Sequence, residues 1–360
     1  MYNDIINEIC LKYNYSKELR KAISVVFPLM VEEYNDLEGV KKLFLDVRIF
    51  CVQNIDDKTI NDINLEMLSE VNEHIILDES NVYDNNSVGA FYSYEPVFDN
   101  SMNVVDEIKL IVIKGFQDKY QSLFRTSVDI PSFLHELNHA YGMQNPVYRI
   151  SGNQIYSKHG MYETVSLVES MDSKYIVRTV KQDNIMSEEV YNEFITRRML
   201  CGFFGVTDYS IVSQKLDNIG HVRSVYTNLH IEIARYLESA IGKDNLMRYR
   251  KDNDYSVIDK FNELSMETEL HSSYFNDSNP FSYLNSKIFE MFNLSSNYIN
   301  YLSEDKKEEY RIEMLRLFYD AVAPIYSYNI VLNNKGSVGD YMRARRNELG
   351  EEFNNGNLKK

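Results

Sequence analysis

Only three cysteines, Cys10, Cys51 and Cys201, occur in 360 residues, an odd number spread far apart. With no CxxC pair, neither a disulfide framework nor a zinc ribbon is supported, and a reducing compartment is implied. Positive charge is short as well: 38 Lys and Arg stand against 54 Asp and Glu, a net charge of −16. Nucleic-acid binding rests on clustered Lys and Arg, so a phosphate-backbone partner is argued against. The one basic cluster, "RARRNELGEE" near the end, is answered by its own glutamates and reads as a solvated helix face. No apolar run approaches the ~20 residues of a membrane span. The stretch "AISVVFPLMV" is short, holds a proline and leads into "EEYNDLE", so a buried helix is expected there. The N-terminus lacks the basic-then-apolar layout of a signal peptide, which makes a cytoplasmic protein the expectation; a protein released without a signal would look the same. Walker A, GxGxxG and GxSxG elements are missing, and with them support for nucleotide binding and serine-hydrolase chemistry. Tryptophan is absent while Tyr and Phe number 28 and 18, a supply read as core and interface packing.

What is present divides the chain into regions. Residues 1–84 read as mainly helical, with helical spacing of apolar groups in "LRKAISVVFPLMVEEY" and "LEGVKKLFLDVRIFCVQ". "ESNVYDNNSVG" is turn-rich and marks a boundary. Residues 85–205 contain strand-like runs, "AFYSYEPVFD", "EIKLIVIKGF" and "YETVSLVES", and a strand–turn–strand pattern in "VYRISGNQIYSK". Residues 206–350 are helical, and 351–360 form a frayed tail. The predicted class is α+β: a small sheet on one central helix, with a mainly helical N-terminal segment and a helical C-terminal half.

That central helix carries "DIPSFLHELNHAYGM". Chance places an HExxH in a chain of this size and composition about 0.01 times. Asp129 is suited to cap the helix and Pro131 to occupy its first turn, where a missing N–H costs nothing. Ile130, Phe133, Leu134, Leu137, Ala140 and Tyr141 form one apolar stripe, which leaves His135 and His139 on the opposite side, one turn apart. Two such imidazoles can present nitrogens to one Zn²⁺ at about 2.0–2.1 Å, with Glu136 beside them to take a proton from water. A catalytic zinc ordinarily has three protein ligands and an open position. His74, His159, His221, His230 and His271 form no HxxGxxH extension, so the third ligand must come from elsewhere. The candidate is Glu193 in "SEEVYNEFITRRML", on a helix expected to be capped by Ser187, with Glu188 and Glu189 complementing its dipole. Thr196 or Asn192 would steady the carboxylate. An ion pair between Glu193 and Arg197 is the ordinary alternative. Cys201, on the same helix, is expected to be a buried structural thiol.

HELNH at 135–139, followed 54 residues later (193 − 139) by an Asn-Glu on a helix, resembles the gluzincins, zinc metallopeptidases of the thermolysin-like and related aminopeptidase type. The resemblance covers roughly residues 85–240. It implies a zincin-like fold, one Zn²⁺ held by His135, His139 and Glu193, Glu136 as general base, and a peptide or protein substrate. It departs from the thermolysin-like pattern at Arg197, where those members carry Asp. The Asn-Glu-x-x-Thr form looks more like uncharacterised bacterial cytosolic HExxH proteins. An aminopeptidase G-x-M-E-N motif and a deformylase E-G-C-[LIV]-S context are both missing. The resemblance also implies a Tyr or His donor to the tetrahedral oxyanion, placed after the third ligand. His221, Tyr226 and His230 are candidates, with Tyr226 favoured. Other expectations stay open: a catalytically silent zincin that is structural or binds a partner, and a translocated effector protease.

Overall fold

The computed structural model describes residues 2–56, 58–60, 62–63, 89–98, 104–171, 174–221, 226–275, 278–301 and 304–349. The chain is α+β, with helical N-terminal and C-terminal parts and two small sheets. It divides into two compact units, residues 1–182 with 195–223, and residues 183–194 with 224–360. The turn-rich stretch "ESNVYDNNSVG", all but Gly89, and the tail 351–360 lie outside the described residues. Among the described residues no helix is long and apolar enough to cross a membrane.

The first unit opens with helices α1 (Asn3–Lys12), α2 (Lys17–Tyr34) and α3 (Leu37–Asp46). The run "AISVVFPLMV" lies inside α2, where Ala22, Ile23, Val26, Phe27 and Met30 are buried. The expected helix over "LEGVKKLFLDVRIFCVQ" ends sooner than its apolar spacing suggests. Val47 is extended, and Arg48–Val52 forms strand β1. Its β-branched and aromatic residues pair in parallel with β3, so long-range pairing overrides local periodicity there.

Strands β2 (Ala90–Phe98) and β3 (Val104–Lys114) complete a three-stranded sheet of order β1-β3-β2, with β2 antiparallel to β3. On one face of β3, Ile108, Leu110 and Val112 join Ile55 and Ile63 in a core cluster. By the strand's alternation Lys109, Ile111 and Ile113 point the other way. Lys109 there donates to the carbonyl of Gln144, just beyond helix α4 (Ile130–Gly142). The sheet therefore packs against α4, which carries the HExxH motif. A second sheet, of order β4-β5-β6-β7, is formed by Val147–Ser151, Gln154–His159, Tyr162–Met171 and Lys174–Asp183. The last of these strands has no counterpart in the sequence reading.

Between the two sheets His159 is 1% exposed, stacked on Tyr94 at 3.8 Å between ring centroids and edged by Tyr148. Neither of its ring nitrogens has a hydrogen-bond partner among the described residues. Burial, with repulsion from Lys109 and Lys158, holds its pKa well below the ordinary value.

After β7 the chain turns at Asn184, whose φ of 62° a short polar side chain tolerates, and enters α5 (Ile185–Phe204). This helix begins two residues before the expected cap, and Ser187 lies within it, donating from its N–H to Asn285. Helix α6 (Tyr209–Asn218) closes the first unit. The second unit is helical: α7 (Asn228–Ile241), α8 (Lys243–Lys251), α9 (Ser256–Ser265), α10 (Pro280–Tyr301), α11 (Glu304–Asn333) and α12 (Val338–Leu349).

Candidate metal centre

Helix α4 forms as its local chemistry dictates. The Asp129 carboxylate accepts from the Ser132 N–H at 3.2 Å, Pro131 sits in the first turn, and the helix ends at Gly142. All six residues of the expected apolar stripe are buried. The side chain of Asp129 also accepts from the Tyr120 hydroxyl at 2.8 Å, and that hydroxyl lies 2.9 Å from His221 Nδ1. Burial and the Asp129 charge raise the Tyr120 pKa, so the hydroxyl stays a donor. Strand β2 starts against this turn: a Cβ on Gly89 would stand 2.5 Å from Ser132 Oγ, so a larger residue there would make the serine hydroxyl move.

The far end of α4 is clamped from both sides. Tyr34 of α2 stacks on Tyr141 at 3.8 Å and donates its hydroxyl to Asn138 Oδ1 at 2.9 Å. Tyr141 in turn donates to Asp36 at 2.7 Å. Asn138 Nδ2 donates to Thr196 Oγ1 of α5 at 2.9 Å. The buried amide of Asn138, between the two histidines in sequence, thus ties α2 and α5 to the motif helix. Arg198, two residues after Thr196, grips Glu33 of α2 with its guanidinium.

His135 is half-buried and His139 is 6% exposed. Their Nε2 atoms stand 3.2 Å apart, with ring planes at 66°. In metal-free rings that contact is a hydrogen bond of one neutral tautomer. The same spacing suits two nitrogens on one ion, since ligands at about 2.0–2.1 Å in a tetrahedral shell lie about 3.3 Å from one another. Ligand-capable atoms of His135, His139 and Glu189 all lie within 4.8 Å of one another. Two imidazoles and a carboxylate are a donor set that zinc accepts, and three protein donors leave one tetrahedral position open. The donor types present fit the ion.

Glu193 is not in this group. It stands one turn farther along α5 than Glu189, and the two residues expected to steady it are engaged elsewhere. Thr196 is bonded to Asn138, and Asn192 to Glu188 and Arg250. Glu189 follows the motif by 50 residues (189 − 139), and its sequence context is that of a charge complementing the helix start. Being four residues from Glu193, it shares that residue's face of the helix, so no periodicity separates the two.

The three candidates for an oxyanion donor also have assignable positions. His221 is bonded to Tyr120. His230 is buried and closes a capping box at the start of α7, its Nδ1 accepting from the Thr227 N–H at 3.0 Å. Tyr226, just before that cap, donates its hydroxyl to Glu189 Oε2 at 3.2 Å. Such a bond orients a carboxylate and leaves its other oxygen for an ion. Cys201 is buried, and burial pushes its thiol pKa up, away from nucleophile chemistry. Glu136 is half-buried on α4, next to His135. No protein-family model matches the chain, and no curated protein or solved structure matches it either, so a functional reading has to stand on this site alone.

Proposed function

We propose that the chain is a zinc-dependent metallohydrolase acting on peptide bonds, with His135, His139 and Glu189 as the zinc ligands. The observation that carries this reading is a group of three possible donors within 4.8 Å of one another, two of them ring nitrogens 3.2 Å apart, on a helix whose HExxH motif also holds Glu136. Two HExxH histidines with a glutamate from a later helix are also the ligand set of the gluzincins, which this sequence resembles. A zinc ion held there supplies Lewis acidity, polarising a carbonyl and acidifying water. Glu136 supplies the base: its carboxylate takes a proton from the attacking water and passes it to the leaving amine. Tyr226 holds Oε2 of Glu189, so that the ligand carboxylate keeps one orientation. The i,i+4 spacing puts both histidines on the same side of α4, and the bonds of Asn138 to Tyr34 and Thr196 hold that helix in place. A cytoplasmic setting and a peptide or protein substrate go with this proposal.

The test is Glu136→Gln, assayed on a panel of unstructured peptides with zinc content measured in parallel. The variant should keep its zinc and lose turnover by about 10²–10⁴-fold. Unchanged turnover would remove Glu136 from the mechanism.

A further inference from the structure

Glu188 and Glu189 are neighbours in sequence with opposite surroundings. Glu189 belongs to the donor group, whereas Glu188 is 0% exposed and paired with Arg250 of α8, itself 0% exposed in its side chain. Arg250 Nε donates to Glu188 Oε2 at 3.0 Å and Nη2 to Oε1 at 2.5 Å, a two-pronged fork on one carboxylate. The Nη2 atom also donates to Asn192 Oδ1 at 2.6 Å, and Asn192 Nδ2 donates back to Glu188 Oε1 at 3.0 Å. The Tyr191 ring lies under the guanidinium at 5.1 Å, and its hydroxyl donates to Glu238 of α7 at 2.7 Å. Positions 188, 191 and 192 lie within one turn and share one face of α5.

A buried ion pair is weak evidence for stability. Two charges taken out of water lose their hydration, and apolar residues of similar volume commonly replace such pairs without loss. What a fork and a planar amide contribute that apolar side chains do not is direction. Helix α5 needs it, because it is buried nearly all round: the polar Ser187, Glu188, Asn192 and Thr196 are buried as well as Met186, Val190, Phe194, Ile195, Met199 and Leu200. No single stripe sets its rotation. We propose that Arg250 is a positioning residue for zinc: by locking Glu188 and Asn192 it fixes the rotation of the first turns of α5, and so aims Glu189. The proposal rests on the reading of Glu189 as a ligand.

Its test uses the full chain with two variants, Arg250→Lys and the double replacement Glu188→Met with Arg250→Met. Lysine keeps the charge but offers a point donor in place of the fork, and the double variant removes both charges together. Three quantities are read: zinc affinity by competition with a chelating dye, the visible absorption of the cobalt-substituted protein, and the melting temperature of the metal-free form. The expected result is about a 10-fold or greater loss of zinc affinity with an altered cobalt spectrum, while the metal-free form melts near the wild-type temperature. Wild-type zinc affinity in either folded variant overturns the proposal. Failure of both variants to fold overturns it too, because the cluster would then serve stability. The site reading fails separately, if the wild-type protein binds no zinc or Glu189→Gln binds it unchanged.

Discussion

The hydroxyl of Tyr226 donates to Oε2 of Glu189 at 3.2 Å, which joins the residue preceding α7 to a member of the donor group on α5. On the proposed assignment, the tyrosine favoured from sequence as an oxyanion donor orients the Glu189 carboxylate. Tyr226→Phe keeps the ring against Phe292 and His230 while removing the hydroxyl. Zinc affinity should fall by about 10-fold, as for other groups that hold a ligand from behind. Chelator competition measures it. A variant that binds zinc normally but turns over slowly would return Tyr226 to the oxyanion role.

Thr196→Val tests the tie between α4 and α5. The methyl replaces the hydroxyl at nearly constant volume, but it removes the Thr196 acceptor from the buried Nδ2 of Asn138. Loss of a buried partner costs about 1–3 kcal/mol, readable as a lower midpoint in urea unfolding of the metal-free protein. An unchanged midpoint would show that the bond does not anchor the helix.

His159 makes acid stability predictable in sign. Its folded pKa lies well below the ordinary value, so between those two pKa values the unfolded chain binds the extra proton. Stability therefore falls as pH drops through that window, by at most about 1.4 kcal/mol per pH unit from this one group. Melting of the metal-free protein at pH 7.5 and 5.5 should show the loss, and His159→Phe should shrink it. An equal acid loss in both proteins would assign the effect to other groups.

The motif helix was legible in the sequence because everything that makes it is local. Asp129, Pro131, the apolar stripe and the two histidines fall within a dozen residues and obey one periodicity, and the structure reproduces each of them. The membership of Glu189 in the donor group was not legible. Glu189 and Glu193 lie on one face of α5 and differ only by about 6 Å along its axis. The contacts that hold the helix, Asn138 with Thr196 and Glu188 with Arg250, span 58 and 62 residues and leave no local pattern in the sequence. The start of α5 at Ile185 has a related origin. Ser187 has the chemistry of a cap, but the left-handed turn at Asn184 begins the helix earlier and Asn285 takes the serine's hydrogen bonds. Strand β1 hid in a helical pattern because five residues are too few to show their own period.

Zinc content, measured by mass spectrometry on the purified protein and on Glu189→Gln and Glu193→Gln, bears most directly on the donor group. The expected result is one zinc per chain in the wild type, retained when position 193 is changed and lost when position 189 is changed. A wild-type protein purified and dialysed against zinc that still carries none, or a Glu189→Gln variant as fully loaded as the wild type, would contradict it.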